Sequence, residues 1–225
     1  NTNIHVIIPA GGSGIRFGGN TKKQFLELGG KSILEQTLNK FINCPQVTQI
    51  ILALPQDELD GNKFSDAKVC VVEGGATRAH SVKNAFAALQ ATDEDVVLIH
   101  DAVRPLLTQE LILKIAQATL EKKVVVPAVN ISDTVKQVDE KGEIIKTLDR
   151  DYLYGAQTPQ GMMYRVLKSA YEKVDLDTGN FTDEAMMCEA AGEKVFIVEG
   201  ERHNIKITTP FDLDVAKLLM KNLVG

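Results

Sequence analysis

Three observations predict an α/β fold whose mostly parallel, twisted sheet carries helices on both faces. Short β-branched runs recur along the 225 residues, and apolar positions at helical spacing fill the intervals between them. A glycine-rich stretch follows the first run directly, as a strand-to-helix turn in such a sheet would. An apolar share of 44% supplies a core, and the length suits one domain, taken as residues 1–225.

The first run, "HVIIPA" (5–10), is continuous and apolar, which marks a strand buried on both faces. Ile33, Leu34, Thr37, Leu38 and Phe41 then repeat at helical spacing, and "QIILAL" (49–54) and "KVCVV" (68–72) follow as buried strands. A second helix is marked by Val82, Ala85, Phe86 and Leu89, and a third by Leu111, Ile112, Ile115 and Ala118. The strands "DVVLIH" (95–100) and "KVVVPAV" (123–129) flank that third helix. Residues 132–150 break the rhythm: Val135, Val138, Ile144 and Thr147 alternate about a Glu140-Lys141-Gly142 turn, which predicts a protruding β-hairpin arm. It is charged and has little of its own to bury, so it must lean on the parent domain or on a second subunit. Helices around 160–173 and 182–191, the strand "KVFIVEG" and a helix after Pro210 complete the chain.

The net charge of −5 argues against a general nucleic-acid surface, and no run reaches the length of a membrane span. Cys44, Cys70 and Cys188 lack C-x-x-C spacing and read as small core residues in a reduced, cytoplasmic setting. No signal-peptide pattern is present, although a chain starting at Asn1 admits a processed beginning, including loss of an organelle transit peptide.

"PAGGSGIRFGGNTKKQF" (9–25) gathers five glycines and the cations Arg16, Lys22 and Lys23. Glycine is costly to order, so such a cluster marks close backbone approach, and the cations indicate an anion. It is no dinucleotide fingerprint, because Phe17 stands where a third glycine or alanine is needed. It is no P-loop either: Gly30-Lys31-Ser32 has the tail, but Phe25 stands five places before. A phosphate-binding loop and a plain glycine turn remain, and its length, place and cations favour phosphate. "HDAVRP" (100–105) puts Asp101 at a strand's carboxyl end, where a carboxylate can meet Mg²⁺ against polyphosphate or simply cap a turn. His100 reads as a packed, hydrogen-bonded histidine, and the four histidines show no metal spacing. "EGGATRAHS" (73–81) offers a second glycine pair, with Ser81 and Arg78 placed to meet a base or ribose, or else a simple loop with Thr77 as helix cap. "LDRDYLYGAQTPQ" and "NIKITTP" add the donors Arg150, Gln157, Thr158, Lys206, Thr208 and Thr209. With many cations and no nucleophile–base pair, phosphoryl or nucleotidyl transfer fits best.

The ordered set of "PAGGSGIRFG…KKQF", "EGGATRAHS", "HDAVRPLLT", "SDTVKQV", "TLDRDYLYGAQTPQ", "TDEA" and "NIKITTPFDL" resembles the 2-C-methyl-D-erythritol 4-phosphate cytidylyltransferases over essentially the whole chain. That resemblance implies a Rossmann-like nucleotidyltransferase fold and attack of the polyol phosphate oxygen on the α-phosphorus of CTP, with Mg²⁺ or another divalent cation bound. It implies that Ala10, Gly11, Gly12, Gly75, Ala76, Ser81 and Ala102 line the CTP site, that Asp101 faces metal and phosphates, and that Arg16 and Lys23 stabilise developing charge. Arg104, Thr134, Arg150, Thr158 and Lys206 would hold the methylerythritol phosphate, with Arg150 and Lys206 positioning its nucleophilic oxygen. The 132–150 hairpin would be a dimerisation arm completing the site across a homodimer.

Three departures stand out. Lys22 replaces the usual proline, which implies a more flexible loop; Ala76 replaces a polar residue and weakens any ribose contact there; and "QGMMY" lacks the usual aromatic. The alternatives are a ribitol-5-phosphate cytidylyltransferase, a sister group sharing "HDAVRP", "QTPQ" and "NIKITTP", and a catalytically idle nucleotide-binding protein. The "DTVKQV" and "TLDR" stretches favour methylerythritol phosphate, and the full set of cations argues for catalysis.

Overall fold

A computed structural model describes residues 2–11, 22–59 and 64–223, with side chains described to residue 221. Its centre is an eight-stranded sheet. The apolar run of β1 (Ile4–Pro9) is buried through its middle and pairs in parallel with β4 (Val47–Leu54) on one side and β6 (Val96–Ile99) on the other. The two short strands β2 (Glu27–Leu28) and β3 (Lys31–Ser32) form a ribbon of their own. Beyond β4 lies β5 (Val69–Glu73), also parallel. It is an edge strand: Cys70 is exposed, so of the three cysteines only Cys44 and Cys188 are core residues.

The other half of the sheet departs from the expected pattern. β7 (Val124–Asn130) runs in the direction of β6, yet the two are not neighbours. Between them lies β11 (Gln160–Met163), antiparallel to both and buried at all four positions. The helix expected from residue 160 therefore begins only at Tyr164. β10 (Tyr154–Ala156) pairs antiparallel with the far end of β7, and β12 (Phe196–Glu199) pairs parallel along its opposite side. β10 and β11 thus form one interrupted strand. Gln157 N still donates to Pro127 O at 2.7 Å across the break, where Pro127 and Pro159 have no N–H to give.

Side-chain caps start the helices where the sequence supplies them. Ser32 and Glu35 form a reciprocal capping box at α1 (Ile33–Ile42), Thr77 caps α2 (Arg78–Ala87), and Thr108 caps α3 (Gln109–Lys122). After α4 (Tyr164–Lys173), Asp183 caps α5 (Glu184–Ala190), and α6 (Pro210–Leu223) closes the chain. α2 lies against β1, β4 and β5, whereas α3 lies against β6, β7 and β11. Their apolar faces and the sheet form one continuous core, and a smaller cluster of Leu28, Ile33, Val103, Leu106, Ile207 and Ala216 seats α6. The arm is the hairpin β8 (Lys136–Val138) and β9 (Ile144–Thr147), which pair only with each other. All seven of their residues are exposed, including Val138 and Ile144.

Candidate active site

The carboxyl ends of β1, β5 and β6 open into a cleft of about 360 Å³, the usual place for a ligand in such a sheet. Ala10 and Gly11 line one side as they leave β1, with Lys23 beside them on a short 3₁₀ turn. Gln24 pins that turn by donating from Nε2 to Ala10 O at 2.8 Å. Gly75, Ala76 and Thr77 form a second wall, and the start of α2 brings Arg78 and Ser81. Ser81 is buried under this wall: its hydroxyl accepts from Gly75 N at 3.0 Å and donates to Thr77 O at 3.0 Å. The packing leaves no room for side chains here. A Cβ on Gly75 would lie 2.4 Å from that of His80, and one on Gly11 would lie 3.0 Å from the Ser81 hydroxyl.

Asp101 forms the floor, one residue past His100 at the end of β6. Its carboxylate lies 3.2 Å from Arg78 Nε, 3.4 Å from Arg104 Nε and 3.1 Å from Lys206 Nζ. Burial alone would raise its pKa, but these three cations hold the carboxyl well below the usual carboxylate range, so it is ionised. Its backbone is fixed too, because Asp101 N donates to Thr158 Oγ1 at 3.0 Å. His100 completes the frame. Its Nε2 lies 3.0 Å from Arg104 O, which can only accept, so Nε2 carries the proton. Nδ1 then accepts from the Thr158 hydroxyl at 3.0 Å. Burial lowers this histidine's pKa to about 4, which keeps it neutral.

Several expected residues therefore meet in one cleft: Ala10, Gly11, Lys23, Gly75, Ala76, Ser81, Asp101, Ala102 and Lys206. Gly12 and Arg16 lie outside the described residues. Two others sit behind the cleft. The Thr158 hydroxyl is taken up by His100 and Asp101, and Arg104 is only 9% exposed, its Nη1 donating to Asn204 O at 2.8 Å. Both were expected on the polyol phosphate; here their polar atoms frame Asp101 and tie down the loop that carries Lys206. Thr134 and Arg150 stand exposed at the base of the arm, outside this cleft, with Arg150 Nη1 donating to Ser132 O at 2.6 Å. Lys22, expected to loosen its loop, is paired with Asp57 at 2.6 Å.

One partner was not legible. Glu184, at the start of α5, is 3% exposed and receives Arg78 Nη1 on both carboxylate oxygens, at 2.8 and 2.9 Å. "TDEA" and "EGGATRAHS" contain the two residues, but 106 positions separate them and nothing in either motif announces the pairing. Gln160 fixes the start of α5, donating to Asp183 at 2.8 Å and accepting from Ala185 N at 3.1 Å.

Two glycine-walled turns and a set of cations at the carboxyl edge of an α/β sheet define a nucleotidyltransferase. The family model described as "IspD: 2-C-methyl-D-erythritol 4-phosphate cytidylyltransferase" matches residues 4–222, and the chain belongs to that family. A relative of that name from Bacteroides fragilis is 42% identical over 220 residues, spanning 95% of this chain and 98% of its own. Among solved structures, 4-diphosphocytidyl-2C-methyl-D-erythritol synthase from Anaerococcus prevotii superposes with a TM-score of 0.84 at 34% identity, covering 98% and 99% of the two chains. The 2-C-methyl-D-erythritol 4-phosphate cytidylyltransferase of Francisella tularensis gives 0.83 at 36%, covering 96% and 99%.

Proposed function

We propose that this chain transfers the cytidylyl group of CTP to 2-C-methyl-D-erythritol 4-phosphate, giving 4-diphosphocytidyl-2-C-methyl-D-erythritol and pyrophosphate in non-mevalonate isoprenoid precursor synthesis. The observation that carries this reading is the convergence of the Gly11 and Gly75 turns, Lys23, Lys206 and an ionised Asp101 in one cleft. A phosphate oxygen of the polyol attacks the α-phosphorus, and the bond from that phosphorus to the pyrophosphate oxygen breaks. No acid–base pair is required, because the nucleophile is already anionic; the work is alignment and charge stabilisation.

The two glycine turns admit the nucleotide, with Ala10, Ala76, Ser81 and Ala102 shaping its seat. Lys23 and Arg16 meet the charge that grows on the α-phosphate and the leaving pyrophosphate, and Gly12 lines the CTP site. Lys206 and Arg150 hold the attacking phosphate, and Thr134 joins them. Arg104 and Thr158 act from beneath. Asp101 would be the residue to hold a divalent cation: it is the one carboxylate among the described lining residues and is ionised. An ion there would share its oxygens with Arg78, Arg104 and Lys206, as Mg²⁺ is commonly held by one or two carboxylates together with substrate phosphates. When bound, Mg²⁺ neutralises charge on the triphosphate oxygens.

The whole chain acts as one nucleotidyltransferase domain, and 132–150 is its dimerisation arm. Val138, Ile144 and Ile145 are each at least half exposed on a hairpin with no core of its own, which supports a covering second subunit. The cytoplasm suits its three free cysteines. Among the described residues no helix is long and apolar enough to cross a membrane.

The test is turnover of radiolabelled CTP with Mg²⁺ and either polyol. Labelled diphosphocytidyl product with methylerythritol phosphate, far above that with ribitol 5-phosphate, is expected. Preference for ribitol phosphate, or no turnover of either, overturns the assignment.

A further inference from the structure

We propose that Arg78 is a further phosphate-contacting residue of this reaction, and that Glu184, which reaches no substrate, positions it. The inference rests on the cytidylyltransferase reading above; it turns Arg78 from the base or ribose its motif suggested towards phosphate, and adds Glu184, which no motif announced.

Arg78 opens α2 immediately after the glycine wall and lines the cleft, with 30% of its side chain exposed. Two of its three nitrogens are held by protein: Nη1 by both oxygens of Glu184 and Nε by Asp101. Nη2 has no partner among the described residues, and it is not a buried atom left unsatisfied. A guanidinium held at two of its nitrogens presents its remaining N–H groups in a fixed direction, which suits a phosphate oxygen as a lysine would not.

Glu184 is an expensive way to stabilise a fold. A buried ion pair roughly cancels its desolvation cost, and an apolar pair of similar volume commonly does as well. What the pair supplies is placement. Gln160 and Asp183 fix the start of α5, Glu184 fixes Arg78, and Arg78 lies against the carboxylate on the cleft floor. Arg78 is held firmly charged by its two carboxylates.

The experiment compares wild type, Arg78→Ala, Glu184→Gln and the double variant in turnover, CTP affinity by calorimetry and thermal midpoint. Arg78→Ala should lower kcat about 10²-fold, the usual loss for one phosphate-directed donor. It should also lower the midpoint, because it strands a buried carboxylate. Glu184→Gln in the Arg78→Ala background should restore much of the midpoint while leaving kcat where Arg78→Ala put it. Arg78→Lys should keep the fold and stay at least tenfold slow. Recovery of kcat together with the midpoint, or near wild-type kcat in Arg78→Ala, makes the pair a structural brace and overturns the proposal. An active wild type in the same assay separates that outcome from failure of the cytidylyltransferase reading.

Discussion

Lys206 and Lys23 line the same cleft, yet the former lies 3.1 Å from Asp101 while the latter sits on the short turn that Gln24 ties to Ala10. Charge in this reaction grows on phosphate oxygens only as the bond to pyrophosphate stretches, and a cation beside that bond works mainly in the transition state. Lys23→Ala should therefore lower kcat about 10²–10³-fold and change the CTP dissociation constant only a few-fold. Stopped turnover beside direct binding measures both; equal losses would make Lys23 a ground-state contact. A second residue-scale prediction concerns Asp95, at the opposite end of β6. Burial would raise its pKa, but Asn3 N, Thr92 N, the Thr92 hydroxyl and His5 hydrogen-bond the ionised form and lower it to about 2. A carboxylate depressed in the folded state stabilises it above the unfolded pKa near 4, and that contribution fades as pH falls towards 2. It amounts to about 2 kcal/mol. Urea midpoints between pH 5 and 2 should fall steeply for wild type, and Asp95→Asn, already weaker at pH 5, should show a flatter acid limb.

Elements differ in how plainly they announce themselves. The arm is legible because its charged alternation about Lys141-Gly142 has one good solution, a hairpin, and the structure contains it. Trimming residues 136–146 to a short turn should leave a folded, CTP-binding monomer, because no residue of β8 or β9 contributes to the core. Light scattering decides this, and a persistent dimer would place the interface elsewhere. β11 was not legible. Its four residues are buried all round, so "QGMM" has no alternation to read, and methionine is as comfortable in a helix as in a strand. β5 misled in the other direction: "KVCVV" has the composition of a buried strand, and only its place at the sheet edge exposes Cys70 and Val71. The site divides in the same way. Residues gathered by adjacent turns, such as Gly75 and Ser81, can be found from their motifs. The set that frames Asp101 needed the fold, since Thr158 and Lys206 come from loops about 57 and 105 positions away.

For the whole molecule, the arm base and the cleft belong to different ends of one question. Thr134 and Arg150 flank the hairpin, whereas Lys23 and Asp101 sit at the sheet edge, so a two-fold dimer would build each site from both chains. Mixing a Lys23→Ala chain with an Arg150→Ala chain under conditions of verified subunit exchange should regenerate activity. Each heterodimer would hold one doubly defective site and one intact, giving about half the wild-type rate per exchanged dimer. Continued inactivity would show that Lys23 and Arg150 serve the same subunit's site.

The insertion of β11 between β6 and β7 also bears on the order in which the chain can become a protein. β1, β4, β5 and β6 are all available once the first hundred or so residues exist, and β7 follows soon after. Yet the flank of β6 that faces away from β1 stays open until residues 160–163 arrive, because no earlier strand covers it. An uncovered, wholly apolar strand edge is a template for pairing with other chains. A nascent or truncated polypeptide ending near residue 150 should therefore aggregate rather than rest as a half-sheet. The last third of the sequence is what converts a sticky parallel layer into a closed one, and it brings Thr158 and Lys206 to Asp101, and Glu184 to Arg78, in the same stage of assembly.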